Sequence, residues 1–229
     1  MEIELASMKM LNIPEDPTIP VNGMLYFLDG QYLFRYRGEH GMESKFVTAI
    51  DLAAAFSQSE QDTGWLTAGV VRCGSSSKGR WFVYSAPAQK IEISISGASG
   101  IEEIKVPFPR TVLFGLGTSY YLWASKDRYF DQYGELFRAP CANVYPDGRI
   151  CWGQNTPGEA DPQQARSIWE MFFRTPFNQD LGNGKSQKEP NAINEMLRNV
   201  AGKASYPLSD LVKMSTSVGQ AINYLLEER

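Results

Sequence analysis

The chain reverses direction within the stretch Ala139-Pro140-Cys141-Ala142-Asn143-Val144-Tyr145-Pro146-Asp147-Gly148-Arg149-Ile150-Cys151-Trp152-Gly153. Its centre has strong turn chemistry, because Pro146 fixes φ, Asp147 bonds nearby backbone and Gly148 accepts a positive φ. The turn predicts that Asn143 and Cys151, eight residues apart, lie side by side. A thiol beside an amide donor suits acyl transfer, since an N–H group stabilises the oxyanion that forms. We therefore predict that Cys151 is a nucleophile.

These residues also have plainer interpretations. A cysteine next to a tryptophan at a strand end is commonly a small buried hydrophobic residue. An asparagine in a turn commonly bonds local backbone. Two roles stay open for Asn143, a brace of the loop and a donor to the oxyanion. Loop support is predicted for four residues around the nucleophile: Tyr145, Pro146, Gly148 and Trp152.

The run from Asn143 to Cys151 resembles the active-site signature of ubiquitin-conjugating enzymes. In that signature a His-Pro-Asn is followed by a short turn, a glycine and an apolar-Cys pair, with the same spacing from Asn to Cys. Cys141 and Ala142 stand here in place of the His and Pro. The loop-bracing role of that His is therefore left without a successor.

Further short motifs are similar to those of the prokaryotic ubiquitin-conjugating-enzyme family D, which occurs in the bacterial PRTRC cassette. They lie within residues 20–215 and are Trp65-Leu66, Val106-Pro107-Phe108-Pro109, Tyr121-Leu122-Trp123-Ala124, Cys151-Trp152-Gly153, Pro176-Phe177-Asn178, Lys185-Ser186 and Tyr206-Pro207-Leu208. The resemblance implies a ubiquitin-like protein and a ThiF-type activating enzyme as partners, together with a deconjugating metallopeptidase in the same cassette. It also implies a thioester on Cys151, serving plasmid upkeep or phage defence.

The implied second step transfers the acyl group to an amine. A free lysine has a pKa near 10.4 and is about 99% or more protonated at pH 7, so this step needs groups that orient and desolvate the amine. The glycine-rich segment 176–186 is a candidate flap over Cys151. Its candidate lysine-orienting residues are Asn178, Asp180 and Ser186. Alternatively, the segment is a solvated loop between helices.

Composition and charge restrict the other functions. A net charge of -4 provides no basic surface for nucleic acid. No apolar run is long enough for a membrane span, and the acidic start lacks the basic region of a signal peptide, so we expect a cytoplasmic protein. Three widely spaced cysteines, Cys73, Cys141 and Cys151, argue against disulfides and a Cys-x-x-Cys zinc site. No cofactor or metal is expected.

Hydrophobic patterning predicts an α+β fold, an antiparallel meander followed by the cysteine loop and C-terminal helices. Strands are predicted at 24–28, 31–36, 44–47, 65–72, 80–85, 90–96, 110–114 and 119–124. A short helix capped by Thr48 runs to Phe56. Three more helices are predicted: the first begins after Asp161, the second ends before Gly202 and the third lies near the C-terminus. This order agrees with the ubiquitin-conjugating fold. Residues 1–80 are interpreted as an N-terminal β-rich elaboration and 81–229 as the catalytic domain, in one continuous globule.

Three function classes result. The first is a ubiquitin-conjugating-like transferase, and the second is a catalytically silent adaptor of the same fold that binds a ubiquitin-like protein or a cassette partner. The third and weakest is a cysteine hydrolase, which requires an imidazole beside the thiol. The one histidine, His40, is predicted at a solvated hairpin tip.

Overall fold

The computed structural model describes residues 23–29, 31–57, 63–97 and 100–227. The chain divides into two compact units, residues 1–62 and 63–229. The boundary expected at residue 80 instead falls inside the second unit, where the strands Val70–Ser76 and Gly79–Ala86 pair with each other. The first of these strands therefore belongs to the main sheet and not to the N-terminal elaboration.

The first unit is a three-stranded antiparallel sheet followed by a helix. Its strands are β1 (Gly23–Leu28), β2 (Gln31–Gly38) and β3 (Gly41–Val47), and its helix is α1 (Ala49–Ser57). The predicted Thr48 cap is present, because Asp51 N–H donates to Thr48 Oγ1 at 3.1 Å and Thr48 N–H donates to the Asp51 carboxylate at 3.2 Å. This reciprocal pair satisfies donors at the start of the helix.

The second unit is built on an antiparallel sheet of six strands. The strands of the unit are, in chain order, β4 (Val70–Ser76), β5 (Gly79–Ala86), β6 (Gln89–Gly97), β7 (Gly100–Phe108), β8 (Arg110–Leu116), β9 (Ser119–Ser125), β10 (Glu135–Arg138) and β11 (Lys213–Ser217). The sheet has the order β11-β10-β9-β8-β5-β4, while β6 and β7 form a separate hairpin. The strand predicted from residue 65 begins only at Val70, after Gly69 with φ of 100°.

Helices cover both faces of this sheet. On one face α2 (Ala165–Arg174) buries Ile168, Trp169, Phe172 and Phe173, and α3 (Ile193–Val200) packs in the same core. On the other face α4 (Val218–Glu227) places Val218 and Ile222 in a second core. Asp161 caps the 3-10 turn before α2, accepting from Gln163 N–H at 3.1 Å. The α+β fold, with its helices after the meander, is confirmed.

Within the described ranges, no helix is both long and apolar enough to cross a membrane.

Candidate active site

The segment from Asn143 to Cys151 forms a small hairpin. Val144 and Ile150 pair as an antiparallel bridge, and Cys151 N–H donates to the Asn143 carbonyl at 2.8 Å. The turn closes through Gly148 N–H, which donates to the Tyr145 carbonyl at 2.9 Å. The local turn chemistry thus places Cys151 directly across from Asn143.

The hairpin is fixed against β9. Leu122 N–H donates to the Gly148 carbonyl at 2.7 Å, and the Trp123 indole N–H donates to the Asp147 carbonyl at 2.9 Å. Gly148 has φ of 100°, and a Cβ at this position would collide with the Trp123 indole. Glycine is therefore required at 148 by both the backbone conformation and the close approach of the indole.

Asn143 joins the hairpin to the segment that follows α2. It is buried and has φ of 61°, in the left-handed region that asparagine tolerates better than most residues. Its carboxamide nitrogen donates to the Pro176 carbonyl at 3.0 Å, and its backbone N–H donates to the Asp180 carbonyl at 3.2 Å. These bonds support the bracing role of Asn143, and the carboxamide nitrogen has a second N–H that the bond to Pro176 does not use.

The brace reaches the rest of the unit through Phe177. Phe177 N–H donates to the Ser94 carbonyl at 2.7 Å, and its own carbonyl accepts from Ser96 N–H at 2.8 Å. Because Phe177 is fully buried and pairs with β6, the adjacent Pro176 carbonyl is held in place for Asn143.

The three cysteines have different environments. Cys141 is fully buried, and burial raises the pKa of its thiol to about 12, so it is neutral at pH 7. Cys73 lies half-buried on β4, where it packs against the first core. Cys151 is half-buried at the end of the hairpin. Of the three, Cys151 combines partial exposure with a position opposite Asn143.

The predicted supporting residues differ in their contacts. The Trp152 ring makes edge contacts with Tyr120 at 5.6 Å and with Phe172 of α2 at 6.1 Å between ring centroids. The Arg149 guanidinium lies 4.6 Å from the Tyr145 ring centroid. Pro146 is exposed at the turn. Trp152, the residue after Cys151, therefore packs against the core.

The candidate flap contains two different environments. Asn178 and Asp180 are exposed and bond to each other, the Asn178 carboxamide donating to the Asp180 carboxylate at 2.8 Å. Ser186 is buried, and its hydroxyl donates to the Asp210 carboxylate at 2.8 Å. Ser186 therefore does not share the exposed surface of Asn178 and Asp180. Its buried partner Asp210 is 24 residues away in the chain, so the local sequence does not reveal it.

A buried polar group beside the hairpin lies outside the predicted site. Lys185 is only 1% exposed, and its Nζ donates to the Tyr145 carbonyl at 3.1 Å. Asp210 is fully buried beside Ser186 and accepts from the Tyr206 hydroxyl at 2.7 Å. Lys185-Ser186 and Tyr206-Pro207-Leu208 are both short motifs that resemble those of the family, and this resemblance is the signal that could have singled them out.

Comparison with known proteins identifies the family. Prokaryotic E2 family D matches residues 43–214, well over half of the 229-residue chain. This match is consistent with a PRTRC-type E2-like protein. No curated protein and no solved structure matches the chain. Because the family model covers most of its length, the chain belongs to prokaryotic E2 family D.

Proposed function

We propose that this protein is a ubiquitin-conjugating-like acyltransferase that carries a ubiquitin-like protein as a thioester on Cys151. Membership of prokaryotic E2 family D supports the class of reaction. The observation that carries the choice of residue is the hairpin, which sets the half-buried Cys151 across from Asn143. Cys141, buried as a neutral thiol, is a poor alternative nucleophile.

The first step is exchange between thioesters. The Cys151 thiolate attacks the C-terminal carbonyl of the ubiquitin-like protein on its activating enzyme, a new C–S bond forms, and the activating enzyme leaves as its own thiolate. The exchange is nearly isoenergetic because one thioester replaces another. It also suits thiol chemistry, since a thiolate is both a good nucleophile and a good leaving group. The chemistry therefore needs no imidazole or metal beside Cys151.

The second step forms an amide. A neutral amine attacks the Cys151 thioester, the C–S bond breaks, the Cys151 thiolate leaves, and the amine releases its proton to solvent or a nearby base. Asn178 and Asp180 remain the candidates that orient the amine. Their support is positional, because the Asp180 carbonyl accepts from Asn143 N–H at 3.2 Å while both side chains stay exposed.

The proposed partners follow from the family. They are a ubiquitin-like protein and a ThiF-type activating enzyme in the cytoplasm, with a deconjugating metallopeptidase encoded in the same cassette. The net charge of -4 favours a basic partner surface over nucleic acid.

The test is a gel shift with purified proteins. The protein is incubated with ATP, its activating enzyme and the ubiquitin-like protein, and we expect an adduct that DTT removes. Cys151→Ala should abolish this adduct, and Cys151→Ser should form an oxyester that survives DTT. Cys73→Ala and Cys141→Ala are the matched controls and should load normally. An adduct that persists in Cys151→Ala and disappears in Cys141→Ala would show that Cys141, and not Cys151, is the carrier.

A silent adaptor is the second candidate, and one observation favours it. The positions of the signature His and Pro hold Cys141 and Ala142, both fully buried and without the imidazole. An adaptor would bind the ubiquitin-like protein with unchanged affinity in Cys151→Ala and would form no DTT-sensitive adduct. The same gel shift, paired with a binding measurement, separates the two functions.

A further inference from the structure

Lys185 is a buried basic side chain that the proposed chemistry does not use. It is 1% exposed, which is rare for lysine because a buried ammonium loses its hydration. Burial lowers the pKa of Lys185 to about 8, so the side chain is still mostly charged at pH 7. Because a buried charge is costly unless it is hydrogen-bonded, the partners of the Lys185 ammonium decide its role.

The ammonium group acts on the turn before Cys151. Lys185 Nζ donates to the Tyr145 carbonyl at 3.1 Å, and the same carbonyl accepts from Gly148 N–H at 2.9 Å. A carbonyl oxygen has two lone pairs, and here both have donors. Lys185 thus bonds the atom that closes the turn between Asn143 and Cys151.

The charged and titratable groups around Lys185 are few. Asp147, in the hairpin, raises the pKa of Lys185, whereas the Arg138 guanidinium on β10 lowers it. Cys141 also faces the ammonium, but its own pKa is raised to about 12, so it supplies no negative charge at pH 7. The hydrogen bond to the Tyr145 carbonyl is therefore a main compensation for burial of the charge.

The other end of Lys185 is anchored. The Ser186 hydroxyl donates to the Asp210 carboxylate at 2.8 Å, and that carboxylate also accepts from the Tyr206 hydroxyl at 2.7 Å. Gly184 N–H donates to the Pro190 carbonyl at 2.6 Å. Because the backbone on both sides is tied down, the lysine stem has a fixed base from which to reach the hairpin.

We propose that Lys185 is a positioning residue, which transmits the rigid Tyr206–Asp210–Ser186 anchor to the Tyr145 carbonyl and so sets the hairpin that presents Cys151. It supplies the loop bracing that the replaced His of the signature leaves open. The catalytic consequence rests on the proposed function, whereas the mechanical link does not need it.

The test compares Lys185→Met with Lys188→Met. Methionine keeps most of the length but lacks the donor, and exposed Lys188 is a matched lysine three residues away. In Lys185→Met we expect hydrogen exchange in peptides covering 144–151 to be about tenfold faster, the effect of losing one hydrogen bond to a charged group. Iodoacetamide should also alkylate Cys151 faster, while exchange in α2 and α3 and all readouts in Lys188→Met stay unchanged.

Thioester discharge to free lysine gives the functional arm. We expect Lys185→Met to load and discharge more slowly, and Ser186→Ala to show the same pattern more weakly. If Lys185→Met does not fold, Ser186→Ala decides alone, through exchange in 144–151. A folded variant with unchanged exchange and alkylation would overturn the positioning role. If the wild-type protein forms no adduct, the proposed function is overturned, whereas the hydrogen-exchange result for Lys185→Met still holds.

Discussion

At the scale of single residues, Asn143 combines a special backbone conformation with a special side-chain contact. Its φ is 61°, and its carboxamide donates to the Pro176 carbonyl at 3.0 Å. We expect Asn143→Ala to destabilise the protein by about 1 to 3 kcal/mol, because alanine is strained in this region and leaves the Pro176 carbonyl unpaired. Asn143→Gly removes the same bond without the strain and should cost less. Thermal unfolding measures the difference.

Discharge kinetics on the same two variants separate brace from catalyst. A brace predicts that the discharge rate falls in step with stability, so that glycine is better than alanine. An oxyanion donor predicts an equal loss of about 10² to 10³ in discharge for both variants, with loading almost unchanged. Equal and large losses would therefore contradict the bracing role.

At the scale of the hairpin, two glycines with positive φ provide a matched pair. Gly148 has φ of 100° and faces the Trp123 indole, whereas Gly153 has φ of 60° and open space where a Cβ would lie. Gly148→Ala should destabilise by about 3 kcal/mol or more, since it adds a steric clash to backbone strain. Gly153→Ala should cost about 1 to 2 kcal/mol from strain alone. Urea unfolding of both variants checks the ranking, and equal losses would contradict the role of Trp123.

Secondary structure was predictable where its signal is local. The turn at 145–148, the aromatic strands and the helices with clear caps depend on neighbouring residues. Strand β7 lacks this signal, because Glu102, Glu103 and Lys105 interrupt its apolar pattern and Pro107 lies within it. Pairing of β10 with β11 joins Glu135 to Ser217, and strands of four and five residues so far apart provide no local pattern.

The candidate site divides along the same line. The juxtaposition of Asn143 and Cys151 follows from turn chemistry between them. Burial of Lys185 and Ser186 depends on contacts with Tyr145 and Asp210, which only the folded chain brings near. A polar residue in a glycine-rich segment is normally solvated, so its sequence surroundings predict an exposed flap.

At the scale of the whole molecule, Lys185 links stability to pH. Its pKa falls from 10.5 in the unfolded chain to about 8 in the folded chain. Between these values the unfolded chain binds a proton that the folded chain does not, so this residue makes stability rise with pH. The gain is at most about 3 kcal/mol, complete near pH 10.5 and absent below pH 8.

Urea unfolding of wild type and Lys185→Met between pH 7 and pH 10 measures this effect. Cys141 acts in the opposite sense above pH 9, because its folded pKa is raised from 9.0 to about 12. Because the two groups interact, both proteins also carry Cys141→Ala, so that the difference between them isolates Lys185. We expect wild type to gain stability relative to Lys185→Met as pH rises, and parallel curves would contradict a buried charge at this position.

At this scale a further prediction concerns His40, the histidine that a hydrolase would need. It is exposed in the turn between β2 and β3. A Cys-His hydrolase loses its activity without the imidazole, but a thioester carrier does not need it. We expect His40→Ala to leave both thioester formation and melting temperature unchanged. A folded His40→Ala protein that no longer forms the adduct would point to the hydrolase class.

The backbone bond between Cys151 and Asn143 also bears on how long an acyl group survives. In serine hydrolases the nucleophile's own backbone N–H commonly helps to receive the negative oxygen during attack by water. Here that N–H already donates to the Asn143 carbonyl at 2.8 Å. Neither water nor an amine that attacks the proposed Cys151 thioester would gain help from this group, so discharge would depend on an oxyanion donor supplied elsewhere. The bond that shapes the hairpin would thereby slow the loss of the acyl group until such a donor is in place.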